Sequence, residues 1–212
     1  MNADIAYILS MSCVLPALIG VYRLRGIDKK FHSFIYMMIL VVLLETLIFL
    51  GFKYPVLGRL SRLPVNVYML LNLYLFLRFV HANGYLLKKN MQALLGIAVL
   101  VAVCDYFHNI SVLNLFLYLL CFVSVVMLII SIDILSKQMI EIRYKLANNF
   151  WFWFSAASVL YNAINFLIFG VLVFSLWDTE DGKSVAALQH IINAVSYLLF
   201  ALAILKIPKK DK

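Results

Sequence analysis

Long apolar runs, broken by short polar and basic stretches, dominate the pattern of this 212-residue chain. A helix crossing bilayer hydrocarbon needs about 20 mostly apolar residues. On that rule the pattern predicts seven spans: Asp4–Tyr22, Ser33–Phe52, Pro64–Val80, Met91–Asp105, Ser111–Leu135, Phe150–Trp177 and Ser184–Lys206. The expected fold is an all-α membrane protein, a seven-transmembrane-helix bundle forming one domain over residues 1–212.

The connections are short and leave no room for a folded domain outside the bilayer. The longest, Ser136–Asn149, carries Glu141 and Lys145 at helical i,i+4 spacing, and Met139, Ile142 and Leu146 at i,i+3,i+7. Two readings stand: a helix extension lying at the interface, or a docking surface for a cytoplasmic partner. Pro16 falls inside the first span, where it removes a backbone bond to the Ser12 carbonyl and predicts a kink. Ser12 or Cys13 is placed to satisfy the freed carbonyl. Trp151 and Trp153 at one end of the sixth span, and Trp177 at the other, fit interfacial anchoring. Trp153 to Trp177 is about 36 Å of helix, longer than a roughly 30 Å core, so this helix is expected to tilt or kink.

Composition agrees with lipid as the solvent. Hydrophobic residues make up 65% of the chain and charged residues 13%. The mean hydropathy is +0.99. The net charge of +8 raises the question of nucleic acid, but the basic residues sit in alternate connections rather than on one solvated face. Fourteen lie in one set (Arg23, Arg25, Lys29, Lys30, Arg78, Lys88, Lys89, Lys137, Arg143, Lys145, Lys206, Lys209, Lys210 and Lys212), and four in the other (Lys53, Arg59, Arg62 and Lys183). The positive-inside rule then puts the N-terminus outside and the C-terminus in the cytoplasm. No nucleic-acid partner is expected. The first residues, Met-Asn-Ala-Asp, lack the basic start of a cleavable signal, so the first span is expected to be retained. Cys13, Cys104 and Cys121 all fall in apolar stretches and read as small packing residues. No metal-ligand spacing is present, and no cofactor is expected.

Against this background the polar residues inside spans stand out: Glu45, Asn72, Asn162, Asn165, His190 and Asn193. Polar groups are costly in hydrocarbon, so they turn inward and mark functional sites. Asn72 and Asn162 lie near mid-span. Glu45 and Asn193 are displaced outward by roughly 4–5 Å, Asn165 by less and His190 by about 8 Å. Ser155, Ser158, Asn162 and Asn165 form one helical stripe, and His190, Asn193 and Tyr197 another. The six polar residues are therefore expected to line one ligand pocket opening outward. Glu45 is the one acidic residue deep within a span, and His190 is its expected partner. The plainer alternative is that the Asn and Ser side chains only join helices, at about 0.6–2 kcal/mol each. The many Phe and Tyr residues read as core or lipid-facing.

The run Asn149-Phe150-Trp151-Phe152-Trp153-Phe154-Ser155-Ala156-Ala157, followed by Leu160-Tyr161-Asn162 and Asn165-Phe166, resembles the sixth helix of a bacterial seven-helix membrane module. That module occurs free-standing or as the membrane portion of sensor histidine kinases. Asn66 with the Tyr68–Tyr74 segment, and the closing helix from His190 to Leu205, are similar to the same pattern. Where that family often carries an acidic residue in helix three, this chain has Asn72 and Leu73. The resemblance implies a sensory role in a bacterial inner membrane. With no kinase portion after helix seven, it implies the free-standing form.

Two functions compete. A sensor or receptor-like signalling module would bind a ligand in the outer pocket and pass the change to a cytoplasmic partner through Ser136–Asn149. Homodimerisation is compatible with it, although no GxxxG pattern is present. A small-solute transporter would arrange its helices as three plus one plus three, with proton coupling through Glu45. An enzyme is not expected: nucleophile and zinc-protease motifs are missing, and Asp105 and Asp133 lie at opposite depths. A retinal lysine would have to lie mid-span, and Lys206 does not. A haem would need paired axial ligands at one depth, and His190 has none beside it, since His32, His81 and His108 lie at span edges. The sensor is the preferred reading.

Overall fold

A computed structural model describes residue 9 and residues 11–53, 62–109, 116–141, 146–173 and 180–209. Within them lie seven α-helices: α1 (Val14–Arg23), α2 (His32–Lys53), α3 (Arg62–Ala82), α4 (Lys88–Asn109), α5 (Leu117–Glu141), α6 (Phe150–Val173) and α7 (Glu180–Leu205). No strand occurs among the described residues; one isolated bridge pairs Ile27 with Lys209. Six helices, α2 to α7, are long and apolar enough to cross a membrane. The described part of α1 has ten residues, too few to span alone. Such a set of helices is that of a multi-pass membrane protein, since only closed backbone hydrogen bonding is tolerated in hydrocarbon.

The helices close a ring. α1 packs on α2 and α7, α2 on α3, α3 on α5, α5 on α6, and α6 on α7. The α5–α6 and α6–α7 contacts are the most extensive. α4 stands outside the ring against α3 and α5, and one face of it is exposed from Ile97 to Phe107. α1 and α2 approach closely at Gly20, where an added Cβ would lie 3.0 Å from the Ile35 side chain.

Several helix ends differ from the sequence expectation, each for a local reason. Leu9 is already helical, and a 3₁₀ turn, Met11–Cys13, separates it from the α-helix that starts at Val14. The regular helical ladder is thus interrupted just before Pro16, whose ring removes a backbone bond. The Ser12 hydroxyl donates to the Leu9 carbonyl at 2.6 Å. The rest of the expected first span, residues 4–8 and 10, lies outside the described residues. The fourth helix extends beyond Met91–Asp105 at both ends. The fifth is described to Glu141, past Leu135, and a Lys137–Asp133 pair at 2.7 Å supports the added turns. That continuation occupies the start of the Ser136–Asn149 connection, as the helix-extension reading expected; residues 142–145, with Ile142 and Lys145, lie outside the described residues. The sixth helix is described to Val173, so Trp177 is outside them too. Cys13 is buried, but Cys104 is exposed on α4 and is not a packing residue.

α3 closes in a Schellman motif. The Gly84 N–H bonds the His81 carbonyl at 2.9 Å, and the Tyr85 N–H bonds the Val80 carbonyl at 3.1 Å. Gly84 adopts φ 82°, the left-handed geometry that the motif requires. This brings Tyr85 onto Trp151, with ring centroids 4.6 Å apart. Trp151 is thus no simple interfacial anchor: it also stacks on Phe79 at 5.0 Å. Around them Phe31, Phe34, Phe76, Phe150, Phe154 and Phe200 form a continuous aromatic core in the basic half of the bundle.

Side-chain hydrogen bonds tie that basic end together. Arg23 donates to the carbonyls of Ile204 and, at 2.8 Å, Ile207, so α1 caps the end of α7. Lys206 Nζ donates to Asn148 Oδ1 at 3.0 Å. Asn149 Oδ1 accepts the Trp151 N–H at 2.8 Å, an N-cap for α6, while its amide donates to Gln138 Oε1 on α5. Gln138 in turn donates to the Tyr85 hydroxyl at 2.9 Å.

Candidate functional site

Above the aromatic core, five helices leave a central cavity of about 20 Å³. α3 contributes Tyr68, Asn72 and Phe76, a single face at i, i+4 and i+8. α6 contributes Phe154, Ser158, Tyr161 and Asn162, and α7 contributes Tyr197 and Phe200. Met37, Met38 and Val41 of α2 and Met127 of α5 complete the wall. That volume suits about one water-sized molecule. It is far below the roughly 300–1,000 Å³ of a preformed small-molecule pocket.

Ser158 is the junction of the polar groups. Its hydroxyl lies 2.6 Å from that of Ser131 on α5. Asn162 donates to both the Ser158 carbonyl, at 2.8 Å, and the Ser158 hydroxyl, at 3.1 Å. Asn72 makes a weak contact with Met127 Sδ at 3.8 Å, and its Oδ1 has no partner. The hydroxyls of Tyr68 and Tyr197, both buried, are also without one. Tyr161 stands between these two phenols and beside the Asn165 amide. The Tyr161 and Tyr197 rings lie 5.8 Å apart. The phenols thus approach one another, but Tyr68 and Tyr197 stop short of hydrogen-bond geometry. Ser158→Ala, which breaks the α5–α6 hydroxyl link, is expected to cost about 0.6–1 kcal/mol in a detergent unfolding titration. A neutral result would show that the link contributes nothing to helix association.

Two of the six sequence-derived residues, Asn72 and Asn162, meet at this cavity. Asn165 lies one turn further along α6 and accepts a bond from Gln189 Nε2 on α7 at 3.2 Å. Asn193 is buried one turn beyond Tyr197, with its Oδ1 unpartnered. Glu45 is half-buried on the α2 face that also carries Met38 and Val41. Its carboxylate is within electrostatic reach of Cys13, Tyr68, Tyr161 and Tyr197. His190 is half-buried two turns beyond Tyr197. The expected Glu45–His190 pair does not form: no ion pair or hydrogen bond joins them, and the one ion pair among the described residues is Lys137–Asp133. Glu45 instead lies within reach of Tyr197, two turns from His190 along α7.

Tyr68 and Tyr161 are what the sequence reading passed over by grouping them with the core aromatics, whereas Tyr197 already stood on the stripe with His190 and Asn193. The signal was helical spacing. Tyr68 precedes Asn72 by four residues, Tyr161 precedes Asn165 by four, and Tyr197 follows Asn193 by four. Each phenol therefore shares a face with an amide.

No family model, curated protein or solved structure matches the chain.

Proposed function

We propose that this protein is a membrane sensor whose ligand enters the polar seam between α2, α3, α6 and α7 and whose output leaves at the basic end. The observation that carries this reading is the double role of α6. Ser158, Tyr161 and Asn162 line the cavity, while Asn149, Trp151 and Phe154 of the same helix and its cap belong to the network and aromatic core at the basic end. A cavity of about 20 Å³ admits a ligand only if α6 or α7 shifts, so binding and movement are one event. A ligand favours the moved state by its differential affinity for it. Hydroxyls, amides and the Glu45 carboxylate suit a small polar solute, neutral or cationic. The basic end faces the cytoplasm of a bacterial inner membrane in this reading, following the fourteen-to-four charge asymmetry. Exposed Met139 and Ile140 on the extended α5 offer a cytoplasmic partner a contact.

The test is a thermal-shift screen of small polar solutes on the purified protein, with hydrogen exchange of residues 149–154 as the second readout. A stabilising solute is expected to change exchange at that segment. Asn162→Leu is expected to weaken its binding about tenfold, the equivalent of one lost buried hydrogen bond. The second reading, proton-coupled transport, is favoured by one observation, the Glu45 carboxylate within electrostatic reach of the phenols. Uptake into liposomes that follows a pH gradient and vanishes in Glu45→Gln would overturn the sensor.

A further inference from the structure

At the basic end the outer surface carries a groove of about 550 Å³ between α1 and the end of α7, lined by Leu18, Ile19, Tyr22, Arg23, Leu205 and Lys209. We propose that this groove holds one anionic phospholipid, with an acyl chain along Leu18, Ile19 and Leu205 and its phosphate on Arg23 and Lys209. The inference is independent of the sensor reading.

Both halves of the groove match that occupant. Leu18 and Leu205 are 64% and 52% exposed, so the apolar wall opens sideways toward lipid. Tyr22, 90% exposed, stands one helical turn beyond Leu18, where a phenol meets the headgroup layer. Two cations border the groove. Arg23 is fixed by its bonds to the Ile204 and Ile207 carbonyls, which use two of the five N–H donors of a guanidinium and leave others to face a phosphate. Lys209 is anchored at its backbone by the bridge to Ile27, and its side chain is exposed at the mouth of the groove. Exposed Arg25, Lys29 and Lys30 on the adjoining α1–α2 connection add positive field; Asp28 is the acidic residue among them, and it accepts the Lys30 N–H. Among the described residues no acidic side chain lines the groove. A zwitterionic headgroup would bring its own cation against Arg23 and Lys209, whereas an anionic one presents only charge of the matching sign. Clustered cations beside an apolar surface at this depth are the recognised chemistry for acidic headgroups.

Native mass spectrometry of the full chain, extracted from vesicles of equal phosphatidylglycerol and phosphatidylcholine, tests this. One retained phosphatidylglycerol per chain is expected, with little phosphatidylcholine. Lys209→Gln should lower the enrichment about fivefold, the contribution of one cation near a charged headgroup. Leu18→Trp, which fills the groove and keeps both cations, should remove the retained lipid. Lys89→Gln on α4, which packs on α3 and α5 instead, should leave it unchanged. Equal retention of both lipids would overturn the proposal. So would enrichment that survives Leu18→Trp, or that falls as much with Lys89→Gln as with Lys209→Gln, since either would mean diffuse attraction to the basic end.

Discussion

Phe154→Ala is expected to destabilise the bundle by about 3 kcal/mol, lowering the melting temperature in detergent by roughly 6–12 °C. Phe154 is 1% exposed. Its ring packs on Phe34 at 5.1 Å, Phe79 at 5.1 Å, Trp151 at 5.6 Å, Phe150 at 5.7 Å, and Phe76 and Phe200 at 6.1 Å. Those partners come from α2, α3, α6 and α7, so one side chain joins four helices. The transfer of apolar surface out of water contributes little here, because separated helices would still lie in lipid. What alanine removes is dispersion contact and edge-to-face geometry, and the void it leaves opens into the cavity above. The low end of the usual range for a buried phenylalanine follows. Leu100→Ala is the control: Leu100 is 65% exposed on α4 and should change stability by no more than about 0.5 kcal/mol. Equal losses in the two variants would refute the view that helix association depends on the aromatic core.

The helices were legible because the bilayer writes a simple rule into sequence: an apolar run of sufficient length must be helical, since no other open backbone survives in hydrocarbon. The ends were less legible where a polar residue has a partner in another helix. Asp105 read as the polar stop of the fourth span, yet it is 0% exposed and the helix continues to Asn109. Gln138 read as part of a loop, yet it is buried and bridges Tyr85 and Asn149. Asn72 and Asn162 could be found because an amide among aliphatic residues is conspicuous. Tyr68 and Tyr161 could not be found by composition, because a phenol is apolar along most of its length and only its tip requires a partner; Tyr197 was found through its stripe with His190 and Asn193. Pairing failed for Glu45 and His190 for a different reason. Approximate depth along each helix is readable from the chain, but the direction in which a side chain leaves its helix is set by packing, and Glu45 lies within reach of the phenols rather than of His190.

Asp105→Leu is expected to cost about 3 kcal/mol, because Asp105 caps a helix to which it does not belong. The start of α5 has backbone N–H groups that no turn of its own can satisfy. Asn66 Oδ1, from α3, accepts the Phe116 N–H at 3.0 Å. Asp105 Oδ2, from α4, accepts the Leu119 N–H at 2.7 Å, and the Tyr118 N–H lies on the same carboxylate. A carboxylate at a helix N-terminus gains from the dipole as well as from the bonds. Leucine removes the acceptor and leaves buried donors in an apolar layer, the costlier half of a broken hydrogen bond. Asp105→Asn keeps an acceptor oxygen and gives up the charge, so about half the loss is expected. Asn66→Leu, which frees the neutral Phe116 N–H, should cost at least about 1 kcal/mol. Unfolding in mixed detergent ranks the three variants, and hydrogen exchange at the amides of Tyr118 and Leu119 locates the effect. Faster exchange there in Asp105→Leu, with the basic-end segment 149–154 unchanged, is the expected pattern. An Asp105→Leu protein as stable as the parent would mean that water already satisfies the first turn of α5. The peripheral α4 would then be a lipid-facing appendage with no part in ordering the ring.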